Sequence, residues 1–231
     1  MIISELLDYG SKILKNNKIK TNQLDSELIL SNLLKKKKEN LIINSKEKVS
    51  KSTIDNFNKL ITRRLKREPL AYILKQKEFW SKIFYVNRNT LIPRPETELL
   101  CESIIKTLKN RTPYILDVGT GTGCILLSIL SELKKARGVG IDISKKAIEV
   151  AKKNSRNLDL NKRAKFFSKS FNDIYGYKFD LIVSNPPYIR TCDIKNLSDD
   201  VRKFEPKIAL DGGKDGLDVI KKVIYKTKTI L

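Results

Sequence analysis

The chain has 231 residues, enough for one domain or two small ones, and a hydrophobic content of 40% that is sufficient for a core. It contains no histidine, which excludes Ser-His-Asp and Cys-His nucleophile systems and histidine-ligated metals. The formal net charge of +21 fits a surface that binds nucleic acid or an acidic protein, but the lysines are spread along the whole chain, as a general drift in composition also produces.

No run of residues is long and apolar enough to span a membrane, and the N-terminus lacks the pattern of a secretory signal. The three cysteines, Cys101, Cys124 and Cys192, are scattered and form no C-x-x-C pair, so we predict neither a disulfide framework nor a zinc cluster. We therefore expect a cytoplasmic protein that binds no metal and no membrane. Separately, we expect a monomer.

Residues 1–75 are predicted to form a small helical domain. Apolar residues recur at helical spacing at Ile3, Leu6, Leu7, Ile13 and Leu14. Asp25 and Ser26 precede a second periodic run at 28–34, and a third helix is predicted from about 52 to 66. Such stripes are typical of core packing, so we assign these helices no chemistry.

Residues 76–96 are predicted to form a β-hairpin and a linker. The segment 78–86 is aromatic and β-branched, which favours a short hairpin with Trp80 as a packing residue. A stiff proline-rich loop follows, in which Thr97 is placed to cap the helix that begins the second domain, residues 97–231.

From Tyr114 onward, predicted strands and helices alternate along the chain. The predicted strands are 114–118, 138–143, 164–168 and 179–183, and the predicted helices between them are 124–133 and 145–157. This β-α-β-α-β order predicts a parallel, doubly wound sheet with its ligand at the carboxyl ends of the strands.

A glycine loop, Gly119-Thr120-Gly121-Thr122-Gly123, follows the first of these strands. Its spacing matches neither the G-x-G-x-x-G dinucleotide fingerprint nor a P-loop. Asp142 ends the next strand about twenty residues later, where a carboxylate can bind both hydroxyls of a ribose. Asp117, before the loop, is predicted to serve a positively charged group. A nucleoside that carries an amino acid and a cation suits this set, which describes S-adenosylmethionine.

The segment Asn185-Pro186-Pro187-Tyr188 follows the last predicted strand. The two prolines have no N–H and a fixed φ, so the turn is rigid and presents carbonyl oxygens, the Asn185 amide oxygen and an aromatic ring. The Asn185 amide oxygen and the Pro186 carbonyl oxygen can accept hydrogen bonds from both N–H groups of a planar NH2 group. The Tyr188 ring can then lie against the face of that group. The alternative is a loop that merely ends the strand.

Together these segments resemble the HemK (PrmC) family, the protein-(glutamine N5) methyltransferases that modify peptide chain release factors. The resemblance covers the chain from about residue 64 to 231 and is carried by residues 67–73, 78–80, 91–98, 117–123, 184–189, 204–206 and 209–210. Ile-Pro-Arg-Pro-Glu-Thr-Glu at 92–98 and Phe-Glu-Pro at 204–206 make it specific, because the glycine loop alone indicates only a class I methyltransferase and Asn-Pro-Pro-Tyr is shared with amino-methylating nucleic-acid enzymes.

The resemblance implies a class I methyltransferase (Rossmann-like) fold with a mostly parallel sheet, behind a helical domain that helps to dock the release factor. It implies S-adenosylmethionine as cofactor, bound by Gly119, Thr120, Gly121, Thr122, Gly123, Asp142 and Asn185. It also implies that Asn185 and Pro186 grip the substrate glutamine amide, while Pro187 and Tyr188 shape the slot. The reaction implied is methyl transfer to the glutamine of the Gly-Gly-Gln motif in release factors.

Two departures from the family pattern qualify these expectations. Residues 169–171 contain no carboxylate where the family often has one near the adenine, so recognition of the adenine is expected to use backbone and apolar contacts. Family members also continue beyond the position of Leu231 with further strands, so the expected sheet lacks the usual last strands. The alternatives are an amino-group methyltransferase acting on DNA or RNA bases, although nucleic acid is not the expected substrate, and an inactive remnant that binds S-adenosylmethionine.

Overall fold

In the computed structural model, residues 1–228 and 230–231 are described, and they separate into two packed units, Met1–Leu74 and Lys75–Leu231. The first unit is helical: α1 (Ile3–Asn16), α2 (Asn22–Leu34), α3 (Lys38–Ile43), α4 (Lys51–Leu65) and α5 (Leu70–Leu74). The apolar stripes of these helices face one another around a single core. None of the helices in the described part of the chain is long and apolar enough to cross a membrane.

The start of α2 differs from the prediction, because Asp25 and Ser26 lie inside the helix rather than ahead of it. Both side chains are buried and have partners outside their own turn. Asp25 accepts a hydrogen bond from the Arg64 guanidinium at 2.6 Å, and the Ser26 hydroxyl donates to the Leu7 carbonyl at 2.9 Å. These helix-to-helix contacts offset the weak helix propensity of Asp and Ser.

The second unit begins with the predicted hairpin, which is confirmed: β1 (Gln76–Phe79) pairs antiparallel with β2 (Lys82–Tyr85). The predicted capping role of Thr97 is wrong. Thr97 ends a short 3-10 turn before α6 (Glu98–Leu108), and its side chain makes no capping hydrogen bond. The Glu98 carboxylate instead accepts a hydrogen bond from the backbone N–H of Trp80 at 2.8 Å and so ties the hairpin turn to the start of α6.

The central sheet has four parallel strands in the order β5-β4-β3-β6, which confirms the parallel sheet predicted from the sequence. The strands are β3 (Tyr114–Val118), β4 (Arg137–Asp142), β5 (Ala164–Ser168) and β6 (Leu181–Ser184). The remaining helices are α7 (Cys124–Glu132), α8 (Lys145–Asn157), α9 (Asp199–Phe204) and α10 (Asp218–Thr227).

Alternate side chains of β3 enter two different cores. Ile115 lies in the larger core, with residues of α6, α7 and α8, whereas Leu116 and Val118 pack on the opposite face with Phe171. Asp117 follows the same alternation and therefore points to the face that α7 covers. This placement puts a carboxyl group among apolar residues, directly beneath the glycine loop.

Candidate active site

The carboxyl ends of β3, β4 and β6 lie side by side and form the floor of the candidate site. In the parallel register, Val118 is opposite both Ile141 and Ser184. The Ser184 hydroxyl donates to the Val118 carbonyl at 2.8 Å, which joins the two strand ends. The glycine loop after β3 and the Asn-Pro-Pro-Tyr segment after β6 are therefore neighbours, as expected for the ligand edge of a parallel sheet.

The glycine loop adopts a backbone that only glycine accommodates without strain. Gly119, Gly121 and Gly123 have φ values of +72°, +54° and +79°, in the left-handed region. A Cβ atom at Gly119 would meet no atom within 4 Å, whereas one at Gly123 would lie 3.1 Å from Leu127 of α7. The first part of the loop is thus open toward a ligand, and its last residue allows the start of α7 to pack closely.

Asp142, the last residue of β4, holds the glycine loop from the side. Its Oδ2 accepts a hydrogen bond from the Gly121 N–H at 3.0 Å, and its Oδ1 accepts one from the Ser144 N–H at 2.8 Å. Burial raises the pKa of this carboxyl group, and the two backbone N–H groups partly offset that rise. The carboxylate lines the cavity described below, where its oxygens can also accept hydrogen bonds from a diol.

Asp117 does not take the place predicted for it. Its side chain is 1% exposed and is not among the residues that line the cavity. Its Oδ2 accepts a hydrogen bond from the Thr120 hydroxyl at 2.6 Å, and its Oδ1 has no partner among the described residues. Burial raises the pKa of Asp117 to about 7, against the opposing effect of the Thr120 hydroxyl. The residue therefore supports the loop from below and does not face a ligand.

The glycine loop, Asp142 and the Asn-Pro-Pro-Tyr segment share one cavity of about 410 Å³. All the residues predicted to bind the cofactor except Gly123 line it, and so do Pro186 and Pro187. Phe171 and Ile143 supply apolar surface near Asp142, and Lys169 and Ser170 add no carboxylate. The volume lies within the range of small-molecule sites.

A second cavity, of about 470 Å³, adjoins the first at Asn185 and the two prolines. Tyr188 lines this second cavity and not the first, and it is 64% exposed. Apolar residues dominate the remaining lining: Leu91, Leu100, Ile189, Leu197, Val201 and Leu210. The structure thus brings Asn185, Pro186 and Pro187 to the boundary of two cavities and leaves Tyr188 on the side away from the glycine loop.

The Asn-Pro-Pro-Tyr segment is held in place by a backbone contact with Gly212. The Gly212 N–H donates to the Ile189 carbonyl at 2.8 Å. A Cβ atom at Gly212 would lie 2.8 Å from the Pro187 carbonyl oxygen, 2.8 Å from Tyr188 Cα and 2.6 Å from the Gly216 carbonyl oxygen. All three are backbone atoms that cannot rotate away, so this position requires glycine.

We expect Gly212→Ala to displace the Asn-Pro-Pro-Tyr turn and to reduce catalytic turnover by at least about 10-fold, because small shifts of positioning groups are costly. Overpacking of this kind also lowers the free energy of unfolding by about 1–3 kcal/mol. Steady-state kinetics and urea unfolding measure the two effects. Gly176→Ala is the control for turnover alone, since no atom lies within 4 Å of the added carbon there, whereas its φ of +73° makes alanine lower the stability in its own right. Equal turnover in the two variants would contradict a positioning role for Gly212.

Two supporting residues were missed by the sequence analysis. Asn154 of α8 is fully buried; its amide group donates to the Thr122 carbonyl at 2.9 Å and to the Tyr85 carbonyl at 3.0 Å. It thereby ties the hairpin to the glycine loop. Glu205 is also buried, and it accepts hydrogen bonds from Arg94 and from the Ile92 N–H. The sequence analysis noted the Phe-Glu-Pro motif that contains Glu205, but the motif does not indicate which residues Glu205 contacts.

Comparison with known families assigns both parts of the chain. Residues 5–74 match the PrmC N-terminal domain family, and residues 109–224 match a methyltransferase domain family. The second match covers the glycine loop, Asp142 and the Asn-Pro-Pro-Tyr segment, and it identifies the sheet and its helices as a class I methyltransferase fold.

Several curated relatives carry the name release factor glutamine methyltransferase, and three of them show the extent of the match. The protein of Caulobacter vibrioides is 40% identical over 88% of this chain and 71% of its own length. That of Buchnera aphidicola subsp. Baizongia pistaciae is 40% identical over 100% of this chain and 83% of its own length. The Clostridium acetobutylicum protein is 37% identical over 100% of this chain and 82% of its own length.

Proposed function

Because this chain belongs to the release factor glutamine methyltransferase family, we propose that it methylates the side-chain amide nitrogen of the glutamine in the Gly-Gly-Gln motif of a peptide chain release factor, with S-adenosylmethionine as methyl donor. The observation that carries this proposal is the position of Asn185 and Pro186 at the boundary of two adjoining cavities. One cavity holds the donor and the other admits the substrate side chain.

The residues of the first cavity fit S-adenosylmethionine. Asp142 offers its carboxylate to the ribose hydroxyls, and the open backbone at Gly119 and Gly121 allows close approach of the ligand. Phe171 and Ile143 offer apolar contact to the adenine. When bound, this cofactor supplies an electrophilic methyl group on a sulfonium.

The residues of the boundary act on the substrate amide. An amide nitrogen is a weak nucleophile because its lone pair is delocalised into the carbonyl group. The Asn185 Oδ1 atom and the Pro186 carbonyl oxygen accept hydrogen bonds from its two N–H groups, and so aim the nitrogen at the first cavity. Bound S-adenosylmethionine would supply the methyl carbon to this nitrogen, and its sulfur would keep the electron pair of the S–C bond.

The same two oxygens stabilise the positive charge that develops on nitrogen, which is an interaction stronger in the transition state than in the ground state. The methylated nitrogen then loses a proton to water, a step for which a cationic amide needs no strong base. This agrees with a chain that has no histidine. Pro187 and Tyr188 line the second cavity and shape the entry of the glutamine side chain.

The protein partner in this proposal is a release factor, and the helical unit Met1–Leu74 contributes to its docking. We further propose that the enzyme acts as a monomer in the cytoplasm, where release factors work. Size-exclusion chromatography with light scattering gives the molar mass in solution and so tests whether the enzyme is a monomer.

A methyl-transfer assay tests the proposed function. The purified protein is incubated with labelled S-adenosylmethionine and, in separate reactions, with a release factor, with its Gln→Ala variant at the Gly-Gly-Gln motif, and with a mixed DNA and RNA pool. We expect label on the unaltered release factor alone. Label on nucleic acid would instead favour an amino-group methyltransferase of bases. Binding of S-adenosylmethionine without label on any substrate would favour an inactive protein that only binds the cofactor.

A further inference from the structure

A third cavity, of about 260 Å³, lies beside β5, the edge strand of the central sheet. Its walls come from the second half of α8 and from β5, and they include Lys152, Ser155, Arg156, Lys165, Phe166 and Phe167. None of the described residues that line it also lines either cavity of the candidate active site. The reaction described above therefore does not use this cavity.

The charges around the third cavity are positive. Lys152, Arg156 and Lys165 line it, and none of the described lining residues is acidic. Within the described residues, no ion pair and no side-chain hydrogen bond engages Lys152 or Arg156. Lys165 Nζ donates to the Asn161 carbonyl at 3.0 Å, and a lysine ammonium group has three donors. The cavity is thus suited to an anion.

Ser155 distinguishes this cavity from a merely basic surface. The residue is 2% exposed, and its Oγ atom has no hydrogen-bond partner among the described residues. A buried hydroxyl group without a partner is costly, and an acceptor bound in the cavity would remove that cost. The Ser155 carbonyl accepts a hydrogen bond from the Leu160 N–H at 2.9 Å, so this carbonyl near the end of α8 is not left to repel an anion.

The backbone of β5 adds a further donor. The Arg163 carbonyl accepts a hydrogen bond from the Gly138 N–H, and the Lys169 N–H donates to the Asp142 carbonyl, so odd-numbered residues of this strand bond to β4. In a parallel pair the residues between them turn their backbone groups the other way. Phe166 therefore turns its N–H and its carbonyl toward the open edge of the sheet, where the cavity lies.

An aromatic ring at the same cavity indicates the kind of anion. Phe167 lines the cavity and is 47% exposed. Cations that hold phosphates beside aromatic rings that stack on bases are typical of sites for single-stranded nucleic acid. The cavity is smaller than most small-molecule sites, so it fits one group of a longer ligand better than a whole cofactor. The net charge of +21 also favours a polyanion.

We propose that the third cavity binds a phosphate group of a single-stranded nucleic acid and that Phe167 stacks on an adjoining base. Lys152, Arg156 and Lys165 neutralise the phosphate, and the Ser155 hydroxyl donates a hydrogen bond to one of its oxygens. The nucleic acid is a bound partner and not the methyl acceptor. The inference therefore goes beyond the proposed function and does not depend on it.

The test is an anisotropy titration of a fluorescein-labelled oligouridylate of about ten nucleotides, a length within the usual range of single-strand sites. Ser155→Ala is the decisive variant, because it removes no charge and deletes a buried hydroxyl group that has no partner, so the protein keeps its stability. We expect it to weaken binding by about 10-fold, as for loss of one hydrogen bond to a charged group. Ser103→Ala, at an exposed position of α6, is the matched control, with no expected change.

Charge variants test the phosphate contact. We expect Arg156→Gln and Lys152→Gln each to weaken binding and to reduce the slope of log Kd against log salt concentration by about 0.7, the value for one phosphate on a single strand. Lys109→Gln is the control, because it removes the same charge at an exposed position at the end of α6. We expect it to change neither the affinity nor the slope appreciably. Urea unfolding shows that each variant is folded.

Variants of Phe167 test the stacking contact. We expect Phe167→Leu, which keeps an apolar side chain but has no aromatic face, to weaken binding by about fivefold or more. Phe167→Tyr keeps the ring and is expected to bind within about twofold of the parent protein. Equal affinities of these two variants would refute the contact between Phe167 and a base.

Four outcomes would overturn the inference as a whole. The first is no binding of the oligouridylate by the parent protein. The second is unchanged affinity in Ser155→Ala with equal weakening by Arg156→Gln and Lys109→Gln, which would leave only a general basic surface. The third is calorimetric binding of inorganic phosphate that Ser155→Ala abolishes, without binding of the oligouridylate, which would assign the cavity to a small phosphate compound. The fourth is equal competition by an oligoglutamate of the same length, which would assign it to an acidic protein segment. None of these outcomes alters the result of the methyl-transfer assay.

Discussion

Replacement of Asn185 by Ala is expected to reduce kcat/KM for release factor methylation by at least about 10²–10³-fold, the range found when one transition-state hydrogen-bonding group is removed. The variant loses the acceptor that fixes one N–H of the substrate amide. The Pro186 carbonyl alone cannot hold the nitrogen on the line of transfer. Affinity for S-adenosylhomocysteine is expected to stay within about threefold, because Asp142, the glycine loop and Phe171 are untouched.

Initial rates with a release factor, combined with calorimetric titration of the cofactor product, measure both effects. Asn196→Ala is the matched control, since Asn196 is exposed in the 3-10 turn Thr191–Asn196 and the same atoms are removed. Asn185→Gln keeps the amide but moves it by one methylene, and we expect it to be nearly as slow because alignment is lost. A turnover of Asn185→Ala equal to that of the parent protein would refute the mechanism.

Asp117→Asn is expected to change the dependence of stability on pH. Burial raises the pKa of Asp117 from its ordinary value of 3.8 to about 7 in the folded protein. Between these two values the folded state binds more protons than the unfolded state, so stability falls as the pH rises. The loss is complete above the folded pKa and amounts to about 4 kcal/mol in total. Asparagine does not ionise and still accepts a hydrogen bond from the Thr120 hydroxyl.

The measurement is urea unfolding at pH 5 and pH 8, followed by the fluorescence of Trp80, the single tryptophan, which lies in the unit Lys75–Leu231. We expect the free energy of unfolding of Asp117→Asn, relative to the parent protein, to rise by about 2–3 kcal/mol between these pH values. Asp159→Asn, at an exposed position of the same unit, is the control. A difference between Asp117→Asn and the parent that does not vary with pH would contradict a buried, titrating carboxyl group.

Local sequence patterns were sufficient for most of the central sheet and for the helices between its strands. The predicted strands at 114–118 and 164–168 and the helix at 145–157 agree with the structure at both ends. Short apolar runs and the 3.6-residue period depend only on neighbouring residues, so they are visible in a single chain. The β-α-β-α-β order predicted that the loops after these strands lie at one edge of a parallel sheet. The pairing of β6 with β3, which are not consecutive in the chain, was seen only in the structure.

The errors have a common cause. Asp25 and Ser26 were taken to precede a helix, and Thr97 was taken to cap one, because short polar side chains are frequent at helix starts. In the structure the side chains of Asp25 and Ser26 form hydrogen bonds with groups on other helices. At the start of α6, the backbone N–H of Trp80 donates a hydrogen bond to the Glu98 carboxylate, and Thr97 makes no capping bond. Asp117 was predicted to face a ligand, but the alternation of β3 turns it beneath α7. Tertiary contacts override local preference in each case.

The sequence by itself determined the family, the parallel sheet, the glycine loop with Asp142 and the Asn-Pro-Pro-Tyr turn, because each depends on residue type and on spacing along the chain. Only the tertiary structure decided which groups hold these motifs in place. Arg94 forms a hydrogen bond with Glu205, which is 111 residues away in the sequence, and Asn154 forms one with Tyr85, which is 69 residues away. Such pairs form when packing brings distant segments together, and no local period records them; the support of the site was therefore visible only in the folded chain.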